Sequence, residues 1–561
     1  MPLLAELPER DRSEDKAHGL IQRLNRLQTN RGNFEAQWEE VAARVLPAYV
    51  GSFYGQRDQQ ETQGQKNTSE LYDSSAGIAL ERFTAILDSL LSPADKIWAR
   101  LAPSDRSLLR DRDTALWFEE ATHILFQELY RPGSGFLGQN QQTWASIGAF
   151  GTGSILVTAD PSSMGLRFSF RSLGETYMAE NAAGVIDTVF SVFWLSARQA
   201  AQEFGVQALS DAARSELIKN ADRRSKYLHA VYPRSDADPD RIDWRSSPYA
   251  SCYVDVREGK IVQENGYAGF PFGVSRHWQA AGEVYGRSPA MAVLPGIKTL
   301  NEQKKTVLIH GQMAVAPAYL LHDDSIMDAS SIFPGGMIAG GITADGRPLV
   351  QPLHPGDLRI GKDLMDDERA DIKAAFLVDL FQILVETPTM TATEVEERSA
   401  EKATLLAPTV GRQHDEYQGP LISRAIDLLM RMGKLPPLPR RLQEAGGDYT
   451  IVYESPLSRA AMAQEVAATA RTFELAAMMA NATQDPSALD WFNADEIVPA
   501  VAAAKGVPTR FLHTLEDVQA IREARAQKAT EQTAIQAAPG AAAMMKPVAM
   551  MMGAGQKARM K

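Results

Sequence analysis

The sequence predicts an α+β, mainly helical protein built from several domains. Three features point there. The chain has 561 residues, too many for one simple core and enough for two to four domains. Apolar residues recur at helical spacing near both ends. The middle breaks into short apolar runs separated by turn signals, the pattern of strands. A composition of 44% hydrophobic and 23% charged residues is that of an ordinary folded protein.

Leu20, Leu24 and Leu27 share one helical face and Trp38, Val41 and Val45 another, before Pro47 interrupts. Gly51 to Asn67 is polar and Gln-rich, and reads as a long loop or arm. A second helix, roughly Ser74 to Leu91, is amphipathic through Leu80, Phe83, Leu87 and Leu90, and Ser92-Pro93 stops it. Further helices fall at about Asp113 to Tyr130 and Gly138 to Phe150. Strand-like runs follow at Ile155–Val157, Phe168–Phe170 and Thr176–Glu180. Asn181-Ala182-Ala183-Gly184 is a turn leading into a long strand, Val185 to Trp194. Ser196 can cap the next helix. Strands resume near Tyr227–Pro233, Tyr249–Val256 and Phe272–Trp278.

From Pro289 the chain changes character. Pro289 to Met313 reads as one helix, mildly broken at Pro295-Gly296. A Gly/Pro-rich insert, Pro317 to Pro355, suggests hairpins. A second helix spans Asp366 to about Val385, with Phe376, Leu380, Ile383 and Leu384 as its apolar side. After a break at Glu386-Thr387-Pro388, Thr391 or Thr393 caps a long acidic helix; Thr393 and Glu396 have capping-box spacing. That helix runs to Met432-Gly433, with a kink expected at Pro408 or Pro420 and Gly433 as its terminator. A strand, Tyr449 to Glu454, precedes an Ala-rich helical region from Ser458 to about Gln532. The last residues, Ala534 to Lys561, are Met-rich and basic, a low-complexity tail.

Charge and motifs exclude more than they identify. A net charge of −12 argues against a protein that grips DNA phosphates to read sequence, yet suits one that lets DNA slide past. One cysteine, Cys252, forms no intrachain disulfide and reads as a small buried residue. Neither a signal peptide nor a membrane span is expected. Phe150-Gly151-Thr152-Gly153-Ser154 precedes a strand, the wrong order for a dinucleotide fingerprint, and reads as a tight helix-to-strand turn. No Walker A loop, zinc-protease motif or nucleophile elbow occurs. Asp366-Asp367-Glu368 reads as a solvated helix start, not a metal site. Trp98, Trp117, Trp144, Trp194, Trp244 and Trp278 read as core residues.

The informative signal is architectural: two helices of similar length flank the insert, a short break and a long acidic helix follow, and an Ala-rich helical end comes last. Several phrases accompany it. Leu71-Tyr72-Asp73-Ser74-Ser75 is followed by Ser92-Pro93 and Trp98. Gly151-Thr152-Gly153 leads to Glu175-Thr176-Tyr177 and to Glu180 through Val189. Tyr285-Gly286-Arg287-Ser288-Pro289 precedes Leu294-Pro295-Gly296-Ile297-Lys298; Thr391 through Val395 and Gly433-Lys434-Leu435-Pro436 complete the set. In their order and spacing over about residues 20–530 these make the chain resemble the head-to-tail connector (portal) family of podoviruses, phages of the T7 type among them. The first twenty residues and the Met-rich tail depart from that pattern.

The resemblance implies a portal fold with wing, stem, clip and crown, assembled as a dodecameric ring. It places the wing at 1–287 with a strand near 449–454, and stem helices at 288–313 and 359–385 with a clip, 314–358, between them. A tunnel loop at 386–390, a long wing helix and strand over 391–455, a helical crown over 456–533 and a barrel-like or disordered tail would follow. Glu386, Thr387, Pro388, Thr389, Met390, Glu394 and Glu397 would then face the DNA channel, and Lys298, Lys304 and Lys305 would form a sparse basic lumen ring. Pro334, Gly335, Gly336, Asp345 and Gly346 would mark the clip that docks other proteins. On the residues alone these charges are equally well solvated helix faces and intersubunit ion pairs.

Implied partners are other copies of the chain, the terminase large subunit, tail adaptor and tail tube proteins, capsid and scaffold proteins, internal ejection proteins, and double-stranded DNA passing non-specifically. No cofactor, metal or membrane is implied. The expected location is the capsid vertex of the virion, after assembly in the bacterial cytoplasm. The expected role is a conduit for DNA packaging and ejection, not an enzyme. The rivals are another phage ring or scaffold component, such as a tail adaptor, and a DNA-processing enzyme.

Overall fold

The computed structural model describes residues 9–53, 64, 66–160, 163–238, 240–241, 243–315, 319–320, 345–347, 351–352, 359–378, 409–454, 456–484, 487, 490–504, 511–513 and 517–529. In chain order these form α1 (Glu9–Val45), α2 (Ser75–Leu91), β1 (Ala99–Pro103), α3 (Arg112–Leu129), α4 (Phe136–Phe150), β2 (Thr152–Asp160), β3 (Gly165–Phe170), β4 (Thr176–Glu180), β5 (Ile186–Ser196), α5 (Ala197–Phe204), α6 (Asp211–Lys219), β6 (Arg224–Pro233), β7 (Tyr249–Asp255), β8 (Lys260–Tyr267) and β9 (Phe272–Arg276). Then come α7 (Pro289–Ala292), α8 (Leu294–Val315), β10 (Tyr319–Leu320), β11 (Gln351–Pro352), α9 (Arg359–Ala375), a π-helical turn (His414–Gln418), α10 (Gly419–Arg431), α11 (Arg440–Glu444), β12 (Tyr449–Tyr453), α12 (Pro456–Thr483) and α13 (Ala494–Ala504). A last helix, α14, covers 517–529. The chain divides into two units: Met1–Trp98 with His123–Leu435, and Ala99–Thr122 with Pro436–Lys561.

The first unit is mixed helix and sheet. A five-stranded antiparallel sheet has the order β4-β5-β6-β7-β8, and a three-stranded one the order β3-β2-β9. One face of the larger sheet presents Phe190, Val192, Leu228, Ala230, Cys252 and Val254 to Ala17, Leu20 and Leu24 of α1. Each fully buried aliphatic or aromatic side chain there contributes about 1.5–3 kcal/mol. Farther along α1, Trp38 sits among Phe34, Phe53 and Tyr285, and its indole N–H donates to Phe150 O at 3.0 Å. The two faces read from the sequence therefore serve two cores.

Local signals explain most boundaries. Ser196 and Gln199 form the reciprocal capping box that starts α5. Gly433, at φ +66°, ends α10: Lys434 N–H reaches Leu429 O at 3.0 Å and Gly433 N–H reaches Met430 O at 3.0 Å. Gly151, at φ +81°, turns α4 directly into β2. A side chain there would meet Gly286 O at 2.3 Å, so two backbones touch at that turn.

Several expectations need correction. The helix expected at Pro289–Met313 is two helices, broken at Val293; Pro295 and Gly296 lie in the first turn of α8, where a missing N–H costs nothing. Asp366-Asp367-Glu368 is not a helix start. Helix α9 begins at Arg359, because Met365 and Ile372 are buried along it and a side chain at Gly361 would meet Val307 at 3.5 Å. Where a kink at Pro420 was expected, a π-helical turn comes just before it, and Pro420 itself occupies the tolerant first turn of α10. Pro408 and the start of the acidic helix lie outside the described residues. Leu91, not Leu90, completes the buried face of α2. Of the six tryptophans read as core, Trp98, Trp117 and Trp144 are core, but Trp278 is 57% exposed and Trp194 and Trp244 are half-buried. Arg234 and Arg245 flank the Trp244 ring at 4.7 and 5.0 Å. Strands β1 and β8 and helix α6 were not expected.

Two buried guanidinium groups tie distant segments of the first unit together. Arg31 of α1 is 1% exposed; it donates to Glu35 at 2.7 and 2.9 Å and to the carbonyls of Leu173 and Thr176, both at 2.6 Å, and it stacks on the Tyr177 ring at 3.8 Å. Arg276 ends β9 and grips Glu416 of the π turn with two parallel bonds of 3.1 and 3.0 Å. It also donates to Glu180 at 3.0 Å and to Gly184 O at 2.9 Å. Tyr417 OH reaches Asn140 at 2.8 Å, Gln418 reaches Leu91 O at 2.6 Å, and Ser275 donates to Gln413. A π turn accommodates one extra residue. Here that register lets four polar or aromatic side chains, Gln413 and Glu416 to Gln418, find partners.

In the second unit β1 pairs antiparallel with β12, from Ala99↔Tyr453 to Pro103↔Tyr449. Leu101 N–H donates to Thr122 Oγ1 at 3.1 Å, and Trp117 Nε1 donates to Pro436 O at 3.0 Å. Phe473 of α12 meets Phe492 edge-on at 5.4 Å, and Arg522 of α14 pairs with Asp495 of α13 at 2.6 Å.

Two outcomes follow for stability. Arg276→Met leaves Glu416 and Glu180 unpaired and should cost about 3–5 kcal/mol, read as a lowered urea midpoint. Burial holds His229 at a pKa of about 3 and His277 at about 4, each lowered further by a neighbouring arginine, Arg171 and Arg412 respectively. Both folded values lie below the ordinary 6.5, so the unfolded chain takes up protons first. Stability is full above pH 6.5 and should fall by about 1 kcal/mol per histidine per pH unit from there to about pH 4, measured by denaturant titration.

Candidate functional site

The site expected from the sequence centres on the two helices beside the insert. Helix α8 and helix α9 pack antiparallel: Gly361 faces Val307, and a side chain at Gly296 would meet the flexible end of Glu368. The strand residues Tyr319 and Leu320, just after α8, pair with Pro352 and Gln351, just before α9. The two ends of the insert are thus held together at its base. A shallow groove between the helices is lined by Lys298, Glu302, Thr306 and Gly361.

Both helices are fixed to one short segment, Glu70 to Ser75, which leads into α2. Asn301 of α8 is 7% exposed. Its Oδ1 accepts from the N–H groups of Tyr72 at 2.8 Å and Asp73 at 3.3 Å, and its Nδ2 donates to Glu70 O at 3.0 Å. Arg369 of α9 reaches the Asp73 carboxylate at 2.7 Å and Asp366 at 2.9 Å. The other Asp73 oxygen accepts from Ser75 N–H at 2.9 Å. Burial pushes the Asp73 pKa up, but the hydrogen bonds from Ser75 and Arg369 outweigh it, and the carboxyl sits below its usual value. Charged Asp73 therefore serves both as helix-start acceptor and as ion-pair partner.

The residues named from the sequence are placed unevenly. Lys298, Lys304 and Lys305 lie on α8. Lys298 pairs with Glu40 of α1. Lys305 lies 3.8 Å from Glu302 and over the Tyr72 ring at 5.7 Å. Lys304 makes no ion pair among the described residues. Asp345 and Gly346 form an exposed turn, Gly346 at φ +77°. Pro334, Gly335, Gly336, Glu386, Thr387, Pro388, Thr389, Met390, Glu394 and Glu397 lie outside the described residues. Among the described residues no cluster of His, Cys, Asp or Glu could hold a metal ion, and no helix is long and apolar enough to cross a membrane.

Sequence reasoning missed Asn301, Arg369, Asp73 and Arg276 as positioning residues. The only local hint was Asn301, a polar residue falling in line with Leu294 and Ile297 on the buried side of a helix. Asn301→Ala leaves three backbone groups of Glu70–Asp73 without their partner and should cost about 1–3 kcal/mol. Limited proteolysis should then cut faster between residues 54 and 73; unchanged cutting would show that the segment is held by other contacts.

Comparison with known proteins places this arrangement. The family described as "Bacteriophage head to tail connecting protein" matches residues 17–512. Two relatives align over nearly the whole length. The "Probable portal protein" of Bordetella phage BPP-1 is 28% identical over 527 residues, covering 92% of each chain. The "Portal protein" of Salmonella phage epsilon15 is 26% identical over 528 residues, again 92% of each. A solved structure described as "Neck of empty GTA particle computed with C6 symmetry" matches 74% of this chain and 94% of its own at 10% identity and a TM-score of 0.31, too distant to add to the assignment. The match over 17–512, spanning both units and the paired helices, makes this chain a member of the bacteriophage head to tail connecting protein family.

Proposed function

We propose that the chain is the portal of a short-tailed phage, a ring through which DNA enters the capsid and later leaves it. The observation that carries this is the family match across nearly the whole chain, together with a helix pair that brackets an insert and is pinned at its base. In this reading twelve copies form the ring, and α8 and α9 are its stem. Residues 314–358 are the clip, 386–390 the tunnel loop, 391–455 the long wing helix and strand, and 456–533 the crown. Residues 1–287 are the rest of the wing, and 534–561 a terminal extension.

The mechanism is passive. Glu386, Glu394 and Glu397 give the channel wall an acidic lining that repels phosphates and keeps DNA from sticking. Lys298, Lys304 and Lys305 add sparse basic rings. The surface pairs of Lys298 and Lys305 are worth about 0–1 kcal/mol each, so either lysine can exchange its carboxylate for a passing phosphate. A terminase docks at the clip around Pro334–Gly336 and Asp345–Gly346 during packaging and supplies the ATP hydrolysis; adaptor and tail proteins replace it. Capsid, scaffold and internal ejection proteins complete the set of partners. The ring sits at a capsid vertex of the virion after assembly in the host cytoplasm.

Negative-stain microscopy of purified protein should show rings with a central hole; a stable monomer at high concentration would sink the reading. Deleting Glu386–Met390 should leave ring assembly intact and reduce the DNA retained in heads. Loss of the ring itself would show that this segment is structural and not a channel loop.

A further inference from the structure

The face of the five-stranded sheet opposite α1 carries a row of buried polar side chains. Across the register Thr176 of β4 lies beside Ser191 of β5, Ser191 beside His229 of β6, and His229 beside Tyr253 of β7. Neighbours in such a row are about 5 Å apart. Thr176, Ser191 and His229 are 0%, 2% and 0% exposed. Thr176 Oγ1, Ser191 Oγ and His229 Nδ1 nevertheless have no hydrogen-bond partner. The imidazole is held by Tyr253, stacked on it at 4.1 Å, and by Ser251 Oγ, 3.0 Å from Nε2. In the tautomer in which Nε2 accepts from Ser251, Nδ1 carries the proton and is an unused donor.

Arg171, just after β3, brings a guanidinium to the same face of the sheet. Its Cζ lies 5.7 Å from the ring of Phe193, two residues along β5 from Ser191, and its charge acts on His229, Tyr253 and Tyr267. Its Nε is buried without a partner, and no carboxylate of the described residues pairs with it. In a chain with twelve more acids than bases that is unexpected. Asp255, two residues along β7 from Tyr253 and 2% exposed, accepts from Ser210 Oγ at 2.9 Å and from Arg257 N–H at 3.0 Å. Asp427 is taken by Arg424 at 2.6 Å and Arg431 at 2.8 Å, and the exposed Glu203 acts on Tyr253. Unused donors therefore gather beside a cation, with no fixed acceptor to receive them. Water would satisfy the hydroxyls, which accept as well as donate, but it would not offset the guanidinium charge. An anion accepts from all and offsets the guanidinium where the dielectric is low.

We propose that this row binds a small monovalent anion of chloride size, held by Arg171 Nε–H, His229 Nδ1–H and the Ser191 hydroxyl, with Thr176 at its edge. Thermal unfolding of the full chain in sodium chloride against sodium gluconate, at equal ionic strength, tests it. The midpoint should rise with chloride and saturate. Ser191→Ala, which keeps every charge, should raise the half-saturating chloride concentration about tenfold, the loss of one hydrogen bond to a charged group. Arg171→Met should abolish the dependence. Equal responses to chloride and gluconate, or chloride dependence unchanged in both variants, overturn the proposal. Crystals soaked in bromide should give an anomalous peak beside Arg171 Nε; an ordered oxygen there without anomalous signal overturns it even where the variants do not fold.

Discussion

A guanidinium taken out of water must find carboxylates or carbonyls, and the way Arg276 does so organises the first unit. Its partners come from the end of β4, the turn that follows it, and the π turn before α10. The π turn lies far from the other two in sequence, and Arg276 brings it to them. The constraint is stiff because the guanidinium is planar and the Glu416 grip is two-pronged. Breaking one arm leaves a buried charge, so the contacts hold or fail together. Tyr417 and Gln418 can then reach Asn140 and Leu91, and α10 inherits its orientation from a register set one turn earlier.

Arg31 plays a parallel part for α1. A helix of 37 residues docks on two cores, one formed with the large sheet and one with the aromatic cluster around Trp38. Apolar contacts alone would let such a helix slide or rotate by small steps, because burial is not directional. The hydrogen bonds from Arg31 to Leu173 O and Thr176 O are directional and fix the helix along its axis.

What could be read from the sequence was what is decided locally. Ser196 with Gln199, the turn at Asn181–Gly184 and the stop at Gly433 are each settled within a few residues, and each is where it was expected. Strand β1 escaped notice because its partner, β12, lies at Tyr449–Tyr453, and a five-residue strand ending in proline gives no pattern of its own. Strand β8 is an edge strand with polar residues and a register shift, so its alternation is blurred. The candidate site divides in the same way. The helices flanking the insert were visible from periodicity, whereas Asn301, Asp73 and Arg369, which hold them, act across more than two hundred residues of sequence. The lysines of α8 were found, but nothing local announced that Lys298 would meet Glu40.

The pairing of β10 with β11 carries a consequence for variation. Tyr319 and Leu320 meet Pro352 and Gln351, so the chain leaves the helix pair and returns to it at one point. A loop closed at its neck adds only a slowly growing entropic cost as it lengthens, roughly 0.6 kcal/mol for each doubling. Residues can be gained, lost or exchanged beyond that neck while the distance between α8 and α9 stays fixed. The spacing of the helix pair at this point thereby does not depend on the length of chain between Leu320 and Gln351.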